Sequence, residues 1–320
     1  MYNEIRLEKG MYNLSGKSFT EALEALDPSS AYENSPLSKL DAYERQLKRF
    51  DIRVSGKNCD KVEKFFATTE SAVLFPEFLR RSLKKGFDEA ILSGITAAKS
   101  TCDCNTYIGC LLDDNTPYTT TSEGNPMPES SVTENTSAVN LLKYGRIINA
   151  SYEAVRQQRL DVFAVMLRGI GRKLANSVMA AAVSALTVDT EAITASALTY
   201  NELTRLYGEF DSFEMNTVLV SPAKAAEIFA MSAMQEASFV SSDGKIYLPF
   251  GAELLKSCAV EDNTVIGFNK DFALELITSS DFIMETDKLI NRQLDSIAVS
   301  VNCGFRKLTP DAVRVLTITG

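Results

Sequence analysis

The most reactive side chains are six cysteines, and three of them crowd together as Cys102, Cys104 and Cys110. Thiolates at such spacing hold zinc when a fourth donor is at hand, and histidine often supplies it. This chain contains no histidine. Cys258 or Cys303 could complete a set only if the fold carried them there, so the spacing reads as free thiols, with no metal and no cofactor expected. The same absence removes a Ser-His-Asp triad, a Cys-His pair and any imidazole acid or base near neutrality. Asp113-Asp114 has neither a second carboxylate group at ligand spacing nor a glycine cradle, so it reads as a solvated turn rather than a Ca²⁺ or hydrolytic site. Gly169-x-Gly171 sits inside a helical pattern and follows no strand, which excludes a dinucleotide loop. The chain is therefore not expected to be an enzyme.

Composition narrows the classes further. The 320 residues suffice for one large domain or two modest ones, and 45% of them are hydrophobic. Thirty-three basic residues stand against 42 acidic ones, a formal charge of −9. That balance argues against a reader of nucleic acid, which must neutralise phosphates with Lys and Arg. No apolar run reaches the length of a membrane span, and Met1–Arg6 does not open a secretion signal. Six sparse, unevenly placed cysteines are no disulfide scaffold, and a reducing cytosol is the expected place of synthesis.

The elements follow from periodicity, and they give an α+β chain. Ser18–Leu26 carries Phe19, Ala22, Leu23 and Leu26 at helical spacing, and Leu37–Phe50 puts Leu40, Tyr43, Leu47 and Phe50 on one face. Between Arg45 and Lys64 seven basic residues face three acidic ones, a local reversal of sign. This stretch is either a solvated helix face or a surface for the acidic side of another copy. Phe75–Leu83 opens with Pro76 in the first turn of a helix, which Ser93-Gly94 ends.

Leu111–Leu142 holds five acids and no Lys or Arg, and is dense in Thr, Ser, Asn and Pro. So long a loop is improbable in a compact domain, and Thr119–Ser122 and Ser130–Thr133 predict an extended two-stranded arm that must lie on something. Val139–Ile148 alternates as a strand. Gln158–Leu186 is the strongest helix, about 43 Å long, with Gly169 and Gly171 expected to soften its middle. Beyond it, Thr199–Glu202 reads as a capping box and Thr217–Val220 as a buried strand. Ser221-Pro222 opens a helix with Ala226, Phe229 and Ala230 inward, and apolar runs continue to Val313–Ile318.

Three blocks, in this order, resemble the major capsid protein of tailed bacteriophages, the Hong Kong-97 fold family that encapsulin shells share. Glu123-Gly124-Asn125-Pro126-Met127-Pro128-Glu129 is similar to the Gly-x-x-x-Pro-Glu element of the family's extended loop, the E-loop. Lys143–Glu153, then Leu160-Asp161 and Ile170–Ala175, looks like the strand, Ser-x-Glu and long spine helix of that family. Asp287, Gln293, Ile297–Val299, Cys303–Phe305 and Pro310–Val313 resemble its closing strands. The resemblance spans roughly residues 106–320.

It implies a phage major capsid fold: an N-terminal arm and helical segment at 1–100, an E-loop with flanking strands at 106–150, a peripheral domain at 151–187 and 286–320, and an axial domain at 188–285. It also implies a structural role, with hexamers and pentamers of one chain closing an icosahedral shell around double-stranded DNA in the virion after synthesis in the bacterial cytoplasm. A separate scaffolding protein and a portal are the further partners it implies, a decoration protein is left open, and no membrane is involved. Some relatives lose an N-terminal segment to a protease; a chain that keeps Met1 is expected to be uncleaved. Some weld their shells through an E-loop lysine, which Leu111–Leu142 does not offer, so non-covalent locking is expected. The candidate inter-subunit contacts are Asp113, Asp114, Glu123, Glu129 and Glu134 on the loop, against Arg156, Arg159, Arg172, Lys173, Arg45, Lys48 and Arg49 of a neighbour. The loop acids could equally serve only to keep it soluble. An encapsulin-type compartment is the alternative within the fold, and a histidine-free cytosolic enzyme or binding protein the alternative outside it.

Overall fold

The structure is a computed structural model that describes residues 2–13, 17–33, 35–113, 120–134, 137–236, 239–240, 244–279, 282–289 and 294–319. In chain order its helices are α1 (Phe19–Leu26), α2 (Ala42–Arg49), α3 (Thr69–Ala72), α4 (Phe75–Asp88), α5 (Tyr152–Arg156), α6 (Leu160–Thr187), α7 (Tyr200–Gly208), α8 (Pro222–Ala230) and α9 (Ser232–Glu236). The strands are β1 (Ala98–Thr101), β2 (Thr106–Tyr107), β3 (Cys110–Asp113), β4 (Ser131–Glu134), β5 (Val139–Asn140), β6 (Leu142–Ser151), β7 (Ala192–Ala195) and β8 (Thr217–Val220). They continue with β9 (Phe239–Val240), β10 (Ile246–Tyr247), β11 (Glu253–Lys256), β12 (Thr264–Phe268), β13 (Leu274–Thr278), β14 (Ile283–Leu289), β15 (Leu294–Lys307) and β16 (Val313–Ile318). The chain divides into two compact units, the first made of 1–90, 145–175 and 282–300, the second of 91–144, 176–281 and 301–320.

In the first unit the N-terminal helices start where side chains can satisfy their free amides. Ser18 and Glu21 form a reciprocal cap on α1, and Asp41 and Glu44 do the same for α2. The second cap explains why α2 begins at Ala42 rather than at Leu37. These helices are not a loose arm. Arg45, which the sequence offers as a contact to a neighbour, is fully buried: its Nε donates to Asp27 at 2.5 Å and its Nη1 to the Leu40 carbonyl at 2.6 Å. A guanidinium is left without water only where carboxylate and carbonyl oxygens replace it, so Arg45 is spent inside its own chain. The candidate contact is corrected accordingly.

A second buried charge ties α4 to the segments before it. Glu77 accepts from Arg80, Arg81 and Thr20, at 2.8, 2.8 and 2.7 Å, while Arg81 also reaches Asp41 at 2.6 Å. Burial alone would raise the Glu77 carboxyl, but hydrogen bonds and charge from Arg80 and Arg81 outweigh it and hold the group below its ordinary value. Phe75 stacks on Phe78 and Phe163 and packs tilted against Phe65, joining α4 to the start of α6. Farther along, the two helices meet at glycines. A Cβ on Gly86 would stand 2.0 Å from the Arg168 carbonyl oxygen, and one on Gly171 2.0 Å from that of Leu83. Gly171 therefore does not soften α6, which is one unbroken helix of 28 residues; it lets another backbone in. Strand β14 pairs antiparallel with the first half of β15, from Ile283 opposite Ser300 to Leu289 opposite Leu294, and β6 joins β15 as well.

The second unit is built on a seven-stranded sheet in the order β7-β16-β12-β8-β11-β10-β9. Its central strand β8 is buried at every position, as the apolar run Thr217–Val220 requires. Leu203 and Leu206 of α7, Ala225 and Ile228 of α8, and Val265 and Leu316 of the sheet share its core. Only half of the expected capping box forms on α7, where Thr199 Oγ1 accepts from the Glu202 amide at 3.3 Å. The inward face of α8 differs from expectation: Ala225 and Ile228 are buried, while Ala226, Phe229 and Ala230 face water. Strand β8 runs into α8 through Ser221 alone, so the strand's exit sets the helix rotation and Ile228 takes the core position. The second half of β15 pairs with β13, which pairs in parallel with β1.

Candidate assembly surface

The extended arm exists, but with a different ascending strand. Ser131–Glu134 pairs antiparallel with Cys110–Asp113, from Cys110 opposite Glu134 to Asp113 opposite Ser131. This differs from the expected pairing with Thr119–Ser122: Thr120–Ser122 lies outside any strand, and Thr119 lies outside the described residues. Below this ribbon β2 pairs with β5, Thr106 opposite Asn140. At the far side a turn closes with the Asn125 amide on the Ser122 carbonyl at 3.1 Å, and Gly124 takes a φ of +86° that a side chain would strain.

Every described side chain from Thr120 to Glu134 is exposed. Leu112 and Val132 are register partners, and they stand 61% and 68% exposed, with Met127 at 77%. An apolar cross-strand pair in open water on a two-stranded ribbon gains almost nothing by itself. Its stability must come from a surface that covers it. Glu123, Glu129 and Glu134 are exposed on this ribbon, Asp113 is its last residue on the ascending strand, and Asp114 lies outside the described residues.

The basic candidates fall into two groups. Lys48, Arg156, Arg159, Arg172 and Lys173 are exposed in the first unit, whereas Arg45 is buried and Arg49 is half-buried. Arg49 donates to the Ile5 carbonyl and pairs with Glu70 at 3.1 Å, so it fastens the N-terminal segment rather than facing outward. Arg159 pairs with Asp161 at 2.7 Å, and the Arg156 guanidinium lies 5.3 Å from the Phe66 ring centre. Along α6, Val162, Val165 and Met166 are exposed beside these cations. Exposed apolar side chains flanked by Arg and Lys are what a ribbon of apolar and acidic side chains would fit.

The cysteines are all free thiols, Cys104, Cys110 and Cys258 exposed and Cys303 buried. Burial pushes the Cys303 thiol up to about 12. Among the described residues no group of three or more Cys, Asp or Glu could hold a metal ion, and no helix is long and apolar enough to cross a membrane. Sequence reasoning missed Glu275 and Arg306, which meet Tyr107, Gly109 and Cys110 at the foot of the ribbon. They are nearly 170 to 200 positions away along the chain, and no local pattern marks them.

Residues 133–283, from the returning strand of the ribbon to the first residue of β14, match the family model described as phage capsid protein. No curated protein sequence matches the chain. Among solved structures, the capsid of a native GTA particle is similar with a TM-score of 0.54 at 12% identity, covering 74% of this chain and 91% of that one. A virus-like particle from Pyrococcus furiosus gives 0.52 at 13% identity, covering 75% of this chain and 98% of the other. An encapsulin complex from Synechococcus elongatus gives 0.52 at 14%, with coverages of 69% and 84%. The fold is thus that of the Hong Kong-97-type shell proteins, which phage capsids and encapsulins share. Within that class, the sequence-level match, over residues 133–283, is to the phage capsid family, and it supports a structural capsid role.

Proposed function

We propose that copies of this chain associate as hexamers and pentamers that close an icosahedral shell around phage double-stranded DNA, and that the protein works by assembly, not by chemistry. The exposed Leu112–Val132 pair carries the reading, because a ribbon with its apolar side chains in water calls for a neighbouring copy to cover it. In this reading residues 188–285 are the axial domain, 151–187 with 286–320 the peripheral domain, and the ribbon is the E-loop. Its carboxylates Glu123, Glu129 and Glu134 face cations of the adjacent subunit, with Arg156, Arg172 and Lys173 as the outward-facing candidates. Each exposed pair contributes about 0–1 kcal/mol, and symmetry repeats it at every interface. Synthesis in the bacterial cytoplasm, a separate scaffolding protein and a portal belong to the same proposal.

Sedimentation and electron microscopy of the expressed chain, alone and with its scaffolding partner, test it. Particles of megadalton size are expected, and a discrete monomer or dimer under all conditions refutes assembly. Replacing Glu123 and Glu129 by Lys should abolish shells while leaving the far-ultraviolet circular dichroism of the subunit unchanged. Normal shells from that double variant would rule out the electrostatic part.

A further inference from the structure

Nothing in the ribbon itself explains how it is held to the body from which it projects. That work falls to a buried ionic cluster at its foot, within the second unit. Glu275 on β13 and Arg306 on β15 are direct register partners, and both are largely out of water, with side-chain exposures of 5% and 12%. Arg306 Nε and Nη2 both donate to Glu275 Oε2, at 2.9 and 2.7 Å. The other carboxylate oxygen, Oε1, accepts from Ser100 on β1 and from the Tyr107 hydroxyl at 3.2 Å. The remaining guanidinium nitrogen, Nη1, donates to the Cys110 carbonyl at 2.9 Å.

The cluster thus grips the ascending strand twice, at Tyr107 in β2 and at Cys110 where β3 begins. The residue between these grips that meets the guanidinium is Gly109. A Cβ there would stand 1.7 Å from Nη1 and 2.2 Å from Cζ of Arg306. A side chain on Gly109 would have to push the guanidinium aside. On the returning strand, a Cβ on Gly304 of β15 would stand 2.8 Å from Val139 and 3.0 Å from the Asn140 carbonyl, so β5 is seated directly on the same sheet. Both legs of the ribbon are fixed within a few residues of β13 and β15, and beyond Cys110 the described ribbon side chains are in solvent.

We infer that Arg306 is the positioning residue for the E-loop: with Glu275 and Gly109 it fixes the direction in which the ribbon leaves the body, and so where it reaches a neighbouring copy. The planar fork is what suits it, because it spans a carboxylate and a main-chain carbonyl at once, which a lysine's single nitrogen cannot do in this geometry. The inference rests on the shell reading for its consequence but not for its geometry.

Two variants test it, Arg306→Lys and Gly109→Ala, the first removing the fork and the second pushing it aside with the ion pair's residues intact. Hydrogen exchange on the full-length unassembled subunit is expected to quicken at least tenfold at 106–113 and 131–140, with the seven-stranded sheet unchanged. Shell yield should fall at least tenfold in both. If no soluble Arg306→Lys subunit is obtained, Gly109→Ala carries the test alone. Wild-type exchange at both segments in Gly109→Ala overturns the clamp. Faster exchange with normal shells overturns its role in positioning. If the wild-type chain itself makes no shells, the shell reading fails, and the exchange measurement still decides the clamp.

Discussion

Two glycines only two residues apart on α6, and so on opposite sides of the helix, should respond with opposite signs to the same substitution. Gly171→Ala places a methyl 2.0 Å from the Leu83 carbonyl oxygen, 2.9 Å from its carbon and 3.1 Å from the Phe87 amide nitrogen. All three are main-chain atoms of α4, so no side chain can swing away, and the helices must part by more than an ångström. Overpacking of this kind costs about 1–3 kcal/mol, and backbone on both sides puts the expected value at the upper end. The substitution also returns about 1 kcal/mol of helix propensity. The net expectation for Gly171→Ala is a loss of about 2 kcal/mol. At Gly169 a Cβ would meet nothing within 4 Å, so Gly169→Ala keeps only the propensity term and should gain about 1 kcal/mol. Gly86→Ala, which would stand 2.0 Å from the Arg168 carbonyl, should reproduce the Gly171→Ala loss from the other helix. Urea unfolding of the unassembled subunit, followed by circular dichroism because the chain has no tryptophan, measures all three. A Gly171→Ala subunit as stable as the wild type would refute the argument that close backbone approach selects this glycine.

Two further outcomes follow from buried groups. The Glu77 carboxyl is depressed in the folded chain, so the unfolded chain takes up its proton first as pH falls. Its contribution is complete above the ordinary value of 4.5 and is lost as pH drops through the lower folded value. Glu77→Gln should cost about 3 kcal/mol at neutral pH, with the two unfolding curves converging in acid; parallel curves down to low pH would contradict the assignment. Among the thiols, Cys104, Cys110 and Cys258 should react with a disulfide reagent within minutes at pH 8. Cys303, buried and pushed up to about 12, should react only on unfolding, and its labelling in the folded subunit would show that the β13–β15 layer opens.

The main helices and sheet runs were legible along the chain. The long apolar period of α6 and the runs of the sheet are local signals, set by side-chain spacing. The missing histidines and the acid-rich, base-free stretch Leu111–Leu142 were also legible at once, because they are composition. What the tertiary structure decided were the pairings that composition does not encode. Leu111-Leu112, not Thr119–Ser122, became the partner of Ser131–Glu134, a pairing that strand propensity does not predict, since Thr is the better strand former. Ile228 rather than Phe229 turned inward, because the exit of β8 fixed the rotation of α8. Arg45, one cation among seven in its stretch, was withdrawn from the surface by Asp27, eighteen residues away. The clamp of Glu275 and Arg306 on Cys110 joins residues far apart in sequence, and only a folded sheet brings a carboxylate, a guanidinium and a glycine's empty space to one point.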